Sequence, residues 1–205
     1  MKNNNFINIS RSISYNCQKR GAQSNKIYKN IPYIWFFTDS NKTLNPLKTA
    51  SKLPNNAGII IRSYSSYNKD KLIDKIIKIK KRKLYTVLIA GKSRKNLGAD
   101  GIHIPQWINS MNKNKQIVSM SAHGGTDIRK SINLKADIIF ISPVFKSSSH
   151  KKNQYLGVVK LGLMAKLFKK PIIALGGINN ENINRLKSLP IAGCAGIDIF
   201  INNLR

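Results

Sequence analysis

From residue 34 onward the chain alternates short runs of β-branched and aromatic residues with stretches of helical periodicity, and few folds accommodate that alternation. The runs cover residues 34–38, 58–62, 84–89, 101–104, 116–121, 137–142, 171–175 and 195–199. Within them apolar residues follow one another almost without interruption, as in Ile138, Ile139, Phe140 and Ile141. A strand with one wet face alternates polar and apolar side chains. A continuous apolar run belongs to a strand covered on both faces, the condition of a parallel sheet enclosed by helices. Eight such strands joined by crossovers close into an α/β fold, a (β/α)8 barrel of the TIM type.

The intervening segments supply the outer layer. Residues 69–82 set Leu72, Ile73, Ile76, Ile77 and Ile79 at helical spacing with lysines between them, an amphipathic helix. Residues 158–168 repeat the pattern with Val159, Leu161, Leu163, Met164 and Leu167, and residues 180–189 read as a third helix that Pro190 cannot continue. A barrel of roughly 170 residues is small against the ~250 typical of the fold. Short crossovers and a truncated last helix are therefore expected, which leaves open an unclosed edge, a helix borrowed from a second copy, and hence a homodimer.

Residues 1–33 are polar, rich in Asn and Ser and free of acidic residues, with Arg11, Lys19 and Arg20 among them. They are expected to form a disordered basic tail outside a barrel domain spanning 34–205. An acid-poor, Ser-rich N-terminus is also what an organellar targeting segment looks like. Cys17 and Cys194 have neither paired spacing nor an accompanying His cluster, so neither a disulfide framework nor a zinc site is indicated, and a reducing cytoplasm fits. No apolar run approaches the ~18 to 20 residues that cross a bilayer, so no membrane partner is expected. The formal charge of +28 attracts polyanions. Its carriers are spread along the whole chain, and no RNP-type, zinc-finger or helix-turn-helix pattern accompanies them, so no specific nucleic-acid partner is expected.

Barrels of this kind carry their chemistry at the C-terminal strand ends, often with a phosphate held by the last two loops. Gly176 and Gly177 follow the seventh run, and Gly193 and Gly196 surround the eighth. Glycines there let backbone N–H groups approach phosphate oxygens. Four further strand-end motifs complete the pattern. They are Gly98-Ala99-Asp100-Gly101-Ile102-His103-Ile104-Pro105-Gln106, Ser121-Ala122-His123, Ser142-Pro143-Val144-Phe145 and Ala195-Gly196-Ile197. Together with Ala174-Leu175-Gly176-Gly177-Ile178, in this order and spacing, they resemble the thiamine phosphate synthase and thiazole tautomerase superfamily over roughly residues 34–202.

The resemblance implies an enzyme of thiamine biosynthesis, a transferase. It couples an aminopyrimidine methyl pyrophosphate to a thiazole phosphate through a cation-like pyrimidine, releases pyrophosphate and uses magnesium. Carried over by position, it implies Arg62 on the pyrophosphate, where a guanidinium offers bidentate donors, and Ser121 near the pyrimidine, where a hydroxyl bonds without adding charge. Gln106 and Gly196 are implied as further substrate contacts, beside Gly176 and Gly177. In the loop after Phe145 the family carries Thr-x-Thr-Lys on the phosphates; here Ser147 and Ser149 retain hydroxyls, His150 replaces the lysine and Lys151 follows it. His123 matches the histidine that moves a proton in the tautomerases. His103, inside a strand run, reads as a packed and hydrogen-bonded residue instead.

Three departures stand beside these matches. The carboxylates that bind magnesium in the synthases follow strands three and four, and the corresponding stretches here read Ile89-Ala90-Gly91 and Gln106-Trp107-Ile108. The lysine that usually follows the strand-two arginine is absent as well, the sequence continuing Ser63-Tyr64. Two alternatives to the synthase therefore stay open: a thiazole tautomerase using His123, and a non-catalytic barrel that binds thiamine phosphates or nucleic acid.

Overall fold

The computed structural model describes residues 5–19, 30–62, 69–91, 98–109, 116–147, 155–168 and 170–203. In chain order these form α1 (Asn5–Lys19), β1 (Ile34–Phe37), α2 (Pro46–Lys52), β2 (Gly58–Ile61), α3 (Lys69–Lys83), β3 (Thr86–Ala90), β4 (Gly101–Ile104) and β5 (Ile117–Ala122). There follow α4 (Gly125–Asn133), β6 (Ile138–Ile141), α5 (Gly157–Leu167), β7 (Ile172–Leu175), a 3-10 turn (Ile183–Leu186), β8 (Gly193–Gly196) and α6 (Asp198–Asn203). Each strand pairs in parallel with the next, and β8 returns to β1 through Ile34 opposite Cys194 and Trp35 opposite Ala195, so the barrel is closed.

Alternation along each strand divides the apolar residues into two layers. Trp35, Phe37, Ile60, Leu88, Phe140, Ile173 and Ala195 point inward and pack together. The rings of Trp35 and Phe37 meet Phe140 edge-on at 5.3 and 5.1 Å. Phe36, Ile59, Ile61, Val87 and Ile89 point outward, against Ile73 and Ile76 of α3 among others. Burying each of these side chains contributes about 1.5–3 kcal/mol. Gly58 lies opposite Trp35 in register, and a Cβ there would sit 2.2 Å from the indole, so only glycine admits the ring.

The N-terminal residues are not wholly a tail. Phe6, Ile9, Ile13 and Cys17 are buried on one stripe of α1, which packs on β1, β8 and the 3-10 turn. The ring of Phe6 meets Phe200 edge-on at 5.6 Å, and Phe200 meets Phe36 at 5.7 Å. The last helix is six residues long, and α1 packs on the adjoining β8 and β1. The closed barrel has no open edge.

Other expectations shift for local reasons. Leu84 adopts φ 55° and is exposed, so β3 starts two residues later than the apolar run. The eighth strand is Gly193–Gly196 rather than 195–199, because Asp198 already opens α6. Only Ile183–Leu186 is helical in the segment 180–189. There the Asn179 side chain accepts from the backbone N–H of Glu181 and Asn182, a local bond that competes with a regular helix start. Val159, Leu163 and Leu167 of α5 are exposed at 76%, 57% and 75%, while Leu161 and Gly162 face the barrel. Between β3 and β4, and between β4 and β5, no helix occurs among the described residues.

Candidate active site

A cavity of about 650 Å³ opens at the C-terminal ends of the strands. Arg62, Gln106, Ser121, His123, Ser147, Gly176, Gly177 and Gly196 all line it. Ser149, His150 and Lys151 lie outside the described residues.

Phe37 and His103 contribute to the inner wall, their rings edge-on at 5.4 Å. His103 is buried, with Nδ1 2.9 Å from Ser119 Oγ and Nε2 3.0 Å from Ser121 Oγ. Ser119 Oγ donates to the Ile102 carbonyl at 3.4 Å and thus accepts from Nδ1–H. Nε2 is then the lone-pair nitrogen and accepts the Ser121 proton. The Ser121 hydroxyl is left to accept from whatever occupies the cavity. Burial, and after it the Arg62 charge, lowers the His103 pKa to about 3, so the imidazole is neutral. It is the satisfied, packed residue that its strand position suggested.

Arg62 follows β2, where its N–H donates to Thr38 Oγ1 and its guanidinium pairs with Asp39 in the loop after β1. Burial alone would raise the Asp39 carboxyl. The Arg62 bond and the N–H groups of Asn41 and Lys42 outweigh it and hold the group below 3.8. Arg62 therefore reaches the cavity already oriented by a carboxylate.

The β4 and β5 ends are tied together by Asp127 of α4. Its carboxylate accepts the Gln106 Nε2 at 3.1 and 3.0 Å and the His123 backbone N–H at 2.8 Å. His123 Nδ1 donates to the Ser142 carbonyl at 2.6 Å, which keeps the proton on Nδ1 and leaves Nε2 as the basic nitrogen. Asp127 is a positioning residue that the motifs did not single out. Its signal was available, an acid in the first turn of the helix that follows Ser121-Ala122-His123.

Gly176 and Gly177 have φ of 92° and 69°. A Cβ on Gly177 would lie 2.4 Å from the Lys146 carbonyl oxygen, and one on Gly176 2.9 Å from Pro143 Cα. The pair seats the turn against the loop after β6. Phe145 N–H donates to Gly176 O at 3.0 Å, joining the two loops.

Residues 58–200 match the sequence pattern of the thiamine monophosphate synthase family. The chain belongs to that family. It is a thiamine-phosphate-synthase-like enzyme, a transferase of thiamine biosynthesis. It is 30% identical over 201 residues to the thiamine-phosphate synthase of Prochlorococcus marinus subsp. pastoris, covering 93% of this chain and 56% of that protein. It is 23% identical to the thiamine-phosphate synthase of Methanococcus vannielii, covering 85% of this chain and 89% of the relative. Among solved structures, the thiamine phosphate pyrophosphorylase from Pyrococcus furiosus shares the fold with a TM-score of 0.68 at 15% identity, over 84% of this chain and 88% of that one.

Proposed function

We propose that this chain joins an aminopyrimidine methyl pyrophosphate to a thiazole phosphate and releases pyrophosphate, in the cavity at the strand ends. The observation that carries this reading is the convergence of Arg62, Ser121, His123, Ser147 and the Gly176-Gly177 turn on one cavity of a family barrel. The bond from the pyrimidine methylene to the ester oxygen of the pyrophosphate breaks, and its electron pair leaves on that oxygen. The thiazole ring nitrogen then gives its lone pair to the methylene carbon, and no net proton is exchanged. Ser121, as an acceptor, takes an N–H of the aminopyrimidine. A neutral His103 behind it does not repel the cation-like ring, whereas an imidazolium would. Ser147, the backbone of Gly176, Gly177 and Gly196, and from the resemblance Ser149, His150 and Lys151, take the phosphate of the thiazole. Gln106, oriented by Asp127, contacts the pyrimidine side. The partners are thus phosphorylated small molecules, and the cytoplasm is the compartment proposed. A homodimer would use the apolar row of Val159, Leu163 and Leu167, and sedimentation velocity of Leu163→Lys tests that.

The magnesium implied by the family does not fit the residues present. All eight carboxylates of the sequence lie within the described residues. Asp100 and Asp137 accept strand N–H groups at Val87 and Val118, preceding β4 and β6, at the end of the barrel away from the cavity. Asp70 and Asp74 belong to α3, Asp39 pairs with Arg62, Asp127 holds Gln106 and His123, and Asp198 pairs with Lys42 at 3.3 Å. Glu181 lines the cavity beside the β7 loop. Among the described residues no three His, Cys, Asp or Glu side chains come together.

Incubation with both phosphorylated substrates should yield thiamine phosphate and pyrophosphate; no product at high enzyme concentration would refute the proposal. A second reading, thiazole tautomerisation, is favoured by the bond from His123 to Ser142, which presents a basic Nε2. It predicts turnover of the non-aromatic thiazole phosphate tautomer that His123→Ala abolishes. If log affinity for RNA falls steeply with log salt while no thiazole phosphate is retained, the non-catalytic barrel is the better account.

A further inference from the structure

We propose that the pyrophosphate leaving group is held by protein cations, Arg62 and Lys69, rather than through a divalent metal bound by carboxylates; the proposal rests on the synthase reading above. No two acids converge at the ends of β3 and β4. A cation lies at the same rim. Lys69, the first residue of α3, extends its Nζ to the Ala90 carbonyl at 3.2 Å, and Ala90 is the last residue of β3. An ammonium is therefore docked at the strand end where the family resemblance would put a metal ligand. β2 and β3 pair with Ile61 opposite Ile89, so the residues that follow, Arg62 and Ala90, are neighbours at the rim.

The donor chemistry suits a pyrophosphate. Lys69 has three N–H donors, and one bond to Ala90 leaves two for phosphate oxygens. Arg62 has five donors in a planar fork, and the Asp39 pair leaves donors for the cavity that it lines. As the C–O bond breaks, negative charge grows on the leaving oxygen. Arg62 beyond β2 and the Lys69 ammonium docked on the end of β3 place two positive charges side by side at this rim, where they stabilise it. Lys69 also supplies the positive charge missing at Ser63-Tyr64, from a residue seven positions beyond Arg62.

The test uses the full chain and inorganic pyrophosphate. Calorimetric titration in EDTA should show binding, weakened at least tenfold by Lys69→Met and kept within about threefold by Lys69→Arg. Lys81→Met removes the same charge from the last turn of the same helix and should leave affinity within twofold, which separates a site from the general attraction of a basic surface. Binding that appears only with magnesium, or an equal loss in Lys69→Met and Lys81→Met, overturns the proposal. Turnover with both substrates should proceed in EDTA within about threefold of the rate in magnesium, and turnover confined to magnesium also overturns it. No turnover in either condition, with pyrophosphate bound as described, would instead count against the synthase reading and leave the anion site standing.

Discussion

His103 makes the stability of the barrel depend on pH in a window that the structure fixes. The imidazole is buried between Phe37 and Phe140, with both nitrogens bonded to serine hydroxyls, and its pKa falls from 6.5 to about 3 on folding. The unfolded chain binds a proton below pH 6.5 that the folded chain does not, so this contribution to stability declines as pH falls from about 6.5 toward 3. Each pH unit in that window corresponds to ~1.4 kcal/mol, so moving from pH 8 to pH 5 removes about 2 kcal/mol at this residue. Asp39 is held below 3.8 and loses its contribution only as the pH falls below that, outside the interval. Urea unfolding followed by circular dichroism at pH 8, 6.5 and 5 measures the effect. His103→Asn keeps a donor and an acceptor but has nothing to titrate, and its pH dependence should be flatter than wild type by about 2 kcal/mol. Equal dependence in the two proteins would mean that His103 is protonated in the fold, and the hydroxyl direction assigned to Ser121 would fall with it.

Gly177→Ala places a Cβ against the Lys146 carbonyl at a φ of 69°, so it should lower stability by at least about 2 kcal/mol in urea melts as well as weaken thiazole phosphate binding; unchanged stability would show that the β6 loop yields freely. Phe6→Ala should cost about 3 kcal/mol, because the ring is buried against Phe200; a loss under 1 kcal/mol would mean that α1 adds little to the barrel. Trp107 is 69% exposed at the cavity while Trp35 is fully buried, so ligand titration should change the fluorescence of wild type and not of Trp107→Phe. A change that survives the substitution would place the ligand elsewhere.

How much of this was legible in the sequence depended on whether a residue's role was local. Ile138 to Ile141 announced a strand covered on both faces because its apolarity is continuous, and the same held for Gly58 to Ile61. β8 carries a weak strand signal because Gly193, Cys194 and Ala195 are small; at Gly193 a Cβ would lie 2.3 Å from the Tyr33 carbonyl oxygen. α1 has a weak sequence signal because its buried stripe includes Ser10 and Ser14, so a polar composition conceals a helical period. The cavity-lining motifs were readable as strand ends, and the missing metal carboxylates were readable as Gly91 and Trp107. The partners of those motifs were not, since Arg62 meets Asp39 across 23 positions and Gln106 meets Asp127 across 21. Such pairs exist only once the barrel has closed.

Single-turnover chemistry with enzyme in excess shows whether one cavity couples the two substrates. Both products should be followed by chromatography in wild type and in Ser121→Ala. Thiamine phosphate and pyrophosphate should appear together in a one-to-one ratio, with Ser121→Ala slower by about tenfold or more, the loss of roughly one hydrogen bond to the pyrimidine. Pyrophosphate released without thiamine phosphate, or a Ser121→Ala rate equal to wild type, would contradict the account.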